Sequence, residues 1–145
     1  CALPISQLCQ RTNQFNLTTK RYNEKNIKKF IKDKNILIST ISIKDDYGDY
    51  GTTGLSIAVI NQINKTATID TFILSCRVLG RGIEKEYLNW IIKTLKKLKI
   101  EKIYSTYNKS EKNNIVKDFF DLNKFRIVTS TSNKINYYRN ISKFN

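Results

Sequence analysis

The sequence predicts an α/β chain of the α+β kind, with a central mixed, mostly antiparallel sheet flanked by helices. Three observations carry that prediction. Ile36–Ile43, Leu55–Ile60 and Thr66–Cys76 are apolar runs rich in β-branched residues and separated by polar turns, the pattern of an antiparallel meander. The last run passes through Arg77-Val78-Leu79-Gly80-Arg81-Gly82 directly into Ile83–Leu98, where apolar residues recur at helical spacing. After that helix, strand and helix patterns alternate again to the end. At 145 residues, with neither linker nor repeat, the chain is expected to form one domain, 1–145.

Taken in order, Ile5–Phe15 opens with helical spacing at Ile5, Leu8 and Cys9 and turns polar at Arg11–Gln14. Phe15–Thr19 breaks that pattern and reads as extended or turn. A helix is predicted over Glu24–Lys34, with Asn23 as N-cap and Ile27, Phe30 and Ile31 as its buried stripe. Ile36–Ile43 alternates as a strand. Asp45–Gly54, with three glycines and three aspartates, reads as a turn-rich connection to the return strand Leu55–Ile60. Asn61–Lys65 is a polar turn and Thr66–Cys76 the third strand. The helix Ile83–Leu98 aligns Ile83, Tyr87, Ile91, Leu95 and Leu98 on one face, with acids in its first turn and lysines toward its end. Ile103–Tyr107 is a short strand, and Lys112–Leu122 a helix with Ile115, Val116, Phe119 and Phe120 inward. Phe125–Thr129 and Ile135–Arg139 close the chain as a strand pair.

Composition narrows the function classes. No apolar run approaches the roughly 18 residues that span a bilayer, and no signal peptide is recognisable, so a cytoplasmic location is expected. The chain has no histidine, and Cys1, Cys9 and Cys76 lack zinc-like spacing, so neither a metal site nor a histidine-based triad is expected. Asp45, Asp46 and Asp49 do not fall in the register of a calcium loop. The net charge of +14 would suit nucleic acid or an acidic partner. Yet 20 of the 26 basic residues are lysines scattered over helix surfaces, beside 21 Ile and 16 Asn, which looks like codon bias. No nucleic-acid motif accompanies the charge.

The turn before the long helix is where chemistry is expected. Strand, short glycine-containing turn and helix N-terminus together present unpaired backbone N–H groups and the positive end of a dipole, a ready site for phosphate. Two of only five glycines, Gly80 and Gly82, stand there. The backbone of Leu79–Ile83 would hold the anion, and Arg77 and Arg81 would add charge-assisted hydrogen bonds.

The hexapeptide Arg77–Gly82 fits (Q or R)-x-x-G-x-(G or A), and with its strand-before, helix-after context it resembles motif A of the GNAT acetyltransferase superfamily. A longer resemblance covers about Gln7 to Phe125. Arg11–Tyr22 (RTNQFNLTTKRY), Ile69–Glu84 (IDTFILSCRVLGRGIE) and the tail Asn113–Phe125 look like the C-terminal acyltransferase-like domain of FkbH-type proteins. There it follows a HAD-type phosphatase-like domain. No D-x-D-x-(T or V) motif of the latter kind occurs here, so the chain is expected to be either the C-terminal part of a longer protein or a truncated gene product. The resemblance implies acetyl-CoA, CoA or carrier-protein phosphopantetheine as acyl donor. Its implied partners are an acyl carrier protein and a HAD-type domain, with a glyceryl-type unit as one candidate acyl group, in polyketide or related biosynthesis. A non-catalytic module that docks a carrier protein is the competing implication.

For the site, Arg77, Val78, Leu79, Gly80, Arg81, Gly82 and Ile83 would take the pantetheine phosphates, and Asn108 would be a further pantetheine ligand. Leu74–Cys76 would line the acyl arm. Cys76, beside Arg77 and close to a helix N-terminus, has the surroundings of a nucleophilic thiol able to accept an acyl group. Asp70, in phase with Cys76 along the strand, stands where such enzymes keep a carboxylate base. The resemblance would place a tyrosine acid in the later helix, but Phe119–Phe120 occupy it and a phenyl ring donates no proton. Tyr107, or Tyr104, is the substitute. Asn13, Gln14 and Asn16, amides clustered around Phe15, are candidates for binding substrate hydroxyls and carbonyls.

Overall fold

The computed structural model describes residues 2–142, apart from the side chain of Ile115. Helix α1 (Ala2–Arg11) is followed by a two-residue strand β1 (Phe15–Asn16), helix α2 (Glu24–Lys32) and the meander β2 (Ile36–Asp45), β3 (Gly48–Asn61) and β4 (Thr66–Leu74). A single 3₁₀ turn at Cys76–Val78 leads to α3 (Ile83–Lys97). Then come β5 (Lys102–Asn108), a second 3₁₀ turn (Asn114–Val116), the one-turn α4 (Phe119–Leu122), β6 (Arg126–Ser130) and β7 (Lys134–Asn140). The sheet order is β2-β3-β4-β5-β7-β6, with β1 attached to β4. Only β4 and β5 run parallel, joined by α3; the other pairs are antiparallel.

Each sheet face carries its own core. On one, Ala67, Ile69, Phe72 and Leu74 of β4 meet Leu88, Ile91 and Leu95 of α3 and Phe119 and Phe120 of α4. On the other, Leu55, Ile57 and Ile73 meet Ile5 and Cys9 of α1 and Ile27 of α2. Ile69 and Phe72 share a face although three residues apart, so strict alternation breaks between them. The β3–β4 register shifts at that point, Ile57 pairing with Thr71 and Ala58 with Ile69. A bulge of this kind re-aims every side chain after it.

The parallel pair holds together only at its start. Pairing runs from Thr66 opposite Lys102 to Ile69 opposite Ser105, and then the strands part. The gap is filled by the chain's own backbone. Phe15 and Asn16 pair with Leu74 and Ile73 of β4, and Leu17 N–H donates to the Phe72 carbonyl at 3.4 Å. On the other side, Asn108 N–H donates to the Leu17 carbonyl at 2.7 Å, and its Nδ2 to the Thr18 carbonyl at 3.0 Å. Asn113, fully buried, locks the arrangement. Its Nδ2 donates to the carbonyls of Asn16 (3.0 Å) and Asn108 (2.8 Å), while its Oδ1 accepts from Ser110 N–H (2.7 Å) and Tyr107 Oη (3.2 Å). All four hydrogen-bonding positions of the amide are thereby used.

Several expectations are corrected. Asp45–Gly54 is mostly strand: Asp45 Oδ1 accepts from the N–H groups of Tyr47 and Gly48, closing a tight hairpin, so β3 begins at Gly48 and absorbs the remaining glycines. Ile31 is 49% exposed, because α2 ends at Lys32 and only Ile27 of its stripe is fully buried, with Phe30 packed edge-on against Tyr22. Leu98 is also exposed, lying beyond the last turn of α3, while Leu88 and Ile92 join its inward face. Lys112–Leu122 is not one helix, since the Asn113 side chain serves the neighbouring loops and a 3₁₀ turn precedes a single α-turn. Val116, Phe119 and Phe120 are buried as expected; the inward placement of Ile115 lies outside the described residues.

Two substitutions probe this packing. A Cβ at Gly54 would press on Ile41 Cγ2 and come within 2.9 Å of Leu74 Cδ1, so Gly54→Ala should destabilise by about 1–3 kcal/mol in urea unfolding. Asn113→Ala removes the donor from the buried Asn16 carbonyl and from the part-buried Asn108 carbonyl and should cost about 2–4 kcal/mol in the same assay.

Candidate functional site

The glycine turn follows directly from the end of β4. Ser75 Oγ accepts from Arg77 N–H and starts the 3₁₀ turn; Leu79 is extended, and Gly80 and Gly82 take φ of +84° and +76°. These left-handed values are what glycine supplies most readily. A Cβ at either position would meet nothing within 4 Å, so space beside the turn is open. The two longer described helices that follow loops contrast sharply. Asn23 closes α2 with a reciprocal capping box, whereas Gly82 gives α3 no side-chain cap. The first N–H groups of α3 therefore lack an acceptor from the cap residue. Glu84 and Glu86 in the first turn offset part of the positive dipole end.

Both arginines are tethered to the β2–β3 hairpin. Arg77 donates to the Tyr50 carbonyl at 3.1 Å. Arg81 donates to Asp45 Oδ2 at 2.8 Å and lies over the Tyr50 ring, 5.4 Å from its centroid. The Tyr47 N–H is the main cause holding Asp45 below its ordinary value, and Arg81 acts in the same direction. The turn thus gathers two cations and a helix start without a side-chain cap on an open surface, an arrangement suited to a polyphosphate.

The expected catalytic residues do not converge. Cys76 is exposed, but it begins the 3₁₀ turn instead of ending the strand. Asp70 is out of phase with it because of the bulge in β4, and its carboxylate is engaged elsewhere. It forms an ion pair with Lys20 and accepts from Tyr22 Oη at 2.6 Å and Thr71 Oγ1 at 3.0 Å. Tyr107 is 3% exposed, its hydroxyl donates to Asn113, and burial pushes it above its ordinary range. Asn108 is committed to the Leu17–Thr18 segment. Phe119 and Phe120 are core aromatics, Phe119 edge-on to Phe15 at 5.1 Å. Tyr104 is partly exposed and lies beneath Lys102, opposite Tyr138 on β7.

The amide segment divides in two. Phe15 is buried against Phe72 and Phe119, and Asn16 is fully buried. Asn16 Nδ2 donates to the Thr12 carbonyl and its Oδ1 accepts from Thr19 N–H, so both residues are architectural. Asn13 and Gln14 do come together with Cys76, lining with Arg11, Thr12 and Lys112 a cavity of about 500 Å³. Leu74, expected along the acyl arm, is buried and paired with Phe15.

Sequence reasoning missed Arg21, Tyr22 and the full role of Asn113. Arg21 Nη1 caps the end of α1 through the carbonyls of Cys9, Gln10 and Thr12, and its Nη2 holds Asn13 Oδ1. A basic residue that reaches helix C-terminal carbonyls from beyond an intervening loop leaves no local pattern. Lys112 and Arg11 looked like surface charges among many.

No protein-family model and no curated sequence matches the chain. Solved structures do. The ribosomal-protein-S18-alanine N-acetyltransferase of Escherichia coli superposes with a TM-score of 0.71 at 14% identity, covering 99% of this chain and 90% of that one. An acetyltransferase from Thermus thermophilus gives 0.62 at 14%, covering 94% and 82%. The PaiA N-acetyltransferase of Thermoplasma acidophilum, solved in complex with coenzyme A, gives 0.59 at 17%, covering 82% and 80%. At these identities the likeness is one of architecture: the mixed sheet and its flanking helices have the GNAT acetyltransferase fold.

Proposed function

We propose that this chain is an acyltransferase domain whose donor is a phosphopantetheine thioester, coenzyme A or an acyl carrier protein. The observation that carries the reading is the uncapped N-terminus of α3, set behind two left-handed glycines and beside Arg77 and Arg81. Leu79–Ile83 would hold the phosphates through backbone N–H groups, with Val78 buried beneath as the anchor of the turn. Adding the donor's thioester arm supplies the acyl group; the chain's own part is to fix its phosphates and direct the arm. Because Phe15–Leu17 occupy the free edge of β4, the arm does not gain backbone partners at Phe72 and Leu74. It would end at the cavity bearing Cys76, Asn13 and Gln14. A glyceryl-type acyl group, carrier-protein donor and HAD-type partner domain are the finer form of this reading.

The same β1 pairing favours a second reading. With the strand edge filled and the Tyr107 hydroxyl buried, the domain could dock a carrier protein without turning over, its cationic surface facing the acidic helices of the carrier. Calorimetry separates the two: absence of CoA and acetyl-CoA binding at millimolar ligand, with carrier-protein binding intact, leaves only docking.

Gly80→Asp places a carboxylate against the phosphates and should abolish CoA binding, while the left-handed backbone there costs the folded state about 1–2 kcal/mol. Retained affinity in that variant would remove the turn from the site. Asp45→Asn keeps the Oδ1 acceptor of the hairpin but releases Arg81 from its ion pair. CoA should then bind up to about fivefold more tightly, the size of a surface ion pair.

A further inference from the structure

The cavity beside Cys76 is walled by three separate connections: Arg11–Gln14 after α1, Cys76 after β4, and Lys112 after β5. Its lining contains two cationic side chains and no carboxylate. Arg11 and Lys112 are exposed, and neither joins an ion pair among the described residues. With Asn13 Oδ1 held by Arg21 Nη2 at 2.5 Å, what Asn13 has left to offer is its Nδ2 donors. Gln14 is exposed and carries a further amide. The side-chain groups are therefore predominantly donors, and two are charged.

The walls are also fixed in place before any ligand arrives. Arg21 ties Asn13 to the end of α1, and Asn113, next to Lys112, ties β1 to the end of β5. A fixed backbone frame carrying mobile cationic side chains around a cavity of about 500 Å³ suits a small molecule rich in oxygen acceptors. We infer that this cavity is an oxyanion subsite, taking a small carboxylate- or phosphate-bearing substrate through Arg11 and Lys112, within reach of the Cys76 thiol. Its place in acyl transfer rests on the function proposed above; its ability to bind an anion does not.

Alkylation of Cys76 in the full chain tests the inference, using neutral iodoacetamide and following the Cys76 peptide by mass spectrometry. Inorganic phosphate and malonate should each slow alkylation by roughly threefold or more at saturation, as expected for charge-assisted contacts. Glycerol, and sodium chloride at matched ionic strength, should not. Protection should vanish in the Arg11→Ala/Lys112→Ala variant and persist in Gly80→Asp, whereas CoA binding should show the opposite dependence. Protection that survives loss of Arg11 and Lys112, that disappears in Gly80→Asp, or that is absent from the unsubstituted protein overturns the subsite. Protection without CoA binding keeps the subsite and removes the donor reading instead.

Discussion

The Asn113 carboxamide is the interaction on which the functional end of this molecule depends. Two parallel strands joined by a helix diverge as the sheet twists, and their parted ends expose backbone donors and acceptors that must find partners. Here β1 enters the gap, and the two Nδ2 hydrogens of Asn113 join its Asn16 carbonyl to the Asn108 carbonyl at the end of β5. One buried side chain thus sets the separation of the α1–α2 connection, the end of β5 and the loop leading to α4. Tyr107 and Ser110 complete the amide's valences, which is why the tyrosine hydroxyl has no freedom left.

That closure separates two tasks. Outside the gap, the α3 N-terminus keeps its N–H groups unengaged by any cap, while α2 has its own capped by Asn23. Glycine as a cap costs a helix only about a few tenths of a kcal/mol relative to Ser, Thr, Asn or Asp, so the left-handed Gly82 leaves the start of α3 open at little loss of local stability. Inside the gap, backbone pairing replaces what a ligand would otherwise do. A donor gripped at the turn, as proposed, would therefore meet a β4 edge whose backbone is already paired.

Much of this was legible in the sequence. The meander, the long helix and the final strand pair follow from periodicity, because each buries one continuous apolar face. The glycine turn was legible because Gly80 and Gly82 are scarce residues in a defined strand-to-helix context. What escaped is non-local. The bulge that turns Asp70 away from Cys76 is set by β3 pairing on the neighbouring strand, and no residue at the bulge itself announces it. Asp45–Gly54 carries turn chemistry throughout, yet only Asp46 and Tyr47 turn, since pairing with β2 overrides the glycines. The amides of Asn13 and Asn16 look alike in sequence; hydrogen bonds to Thr12 and Thr19 in the interior make one a support, while the other, half-buried beside Cys76 with its Oδ1 held by Arg21, keeps its Nδ2 donors.

The two described cysteines show what the site has to work with. Cys9 is fully buried; its thiol donates to the Lys20 carbonyl at 3.3 Å and accepts from Tyr22 N–H at 3.1 Å, and burial pushes it up. Cys76 is exposed at the mouth of a cationic cavity. Among the expected reacting groups, Asp70 is neutralised by Lys20 and shared with Tyr22, and Tyr107 is sealed behind Asn113. The chain contains no histidine to serve as base in their place. In the acyltransferase reading, rate enhancement must then come mainly from holding the donor and its partner together and from cationic donors at developing negative charge, not from a dedicated proton relay. In that reading Arg11 and Lys112 would supply such donors, and the cavity they line, not the interior of the splayed sheet, would be the place of turnover.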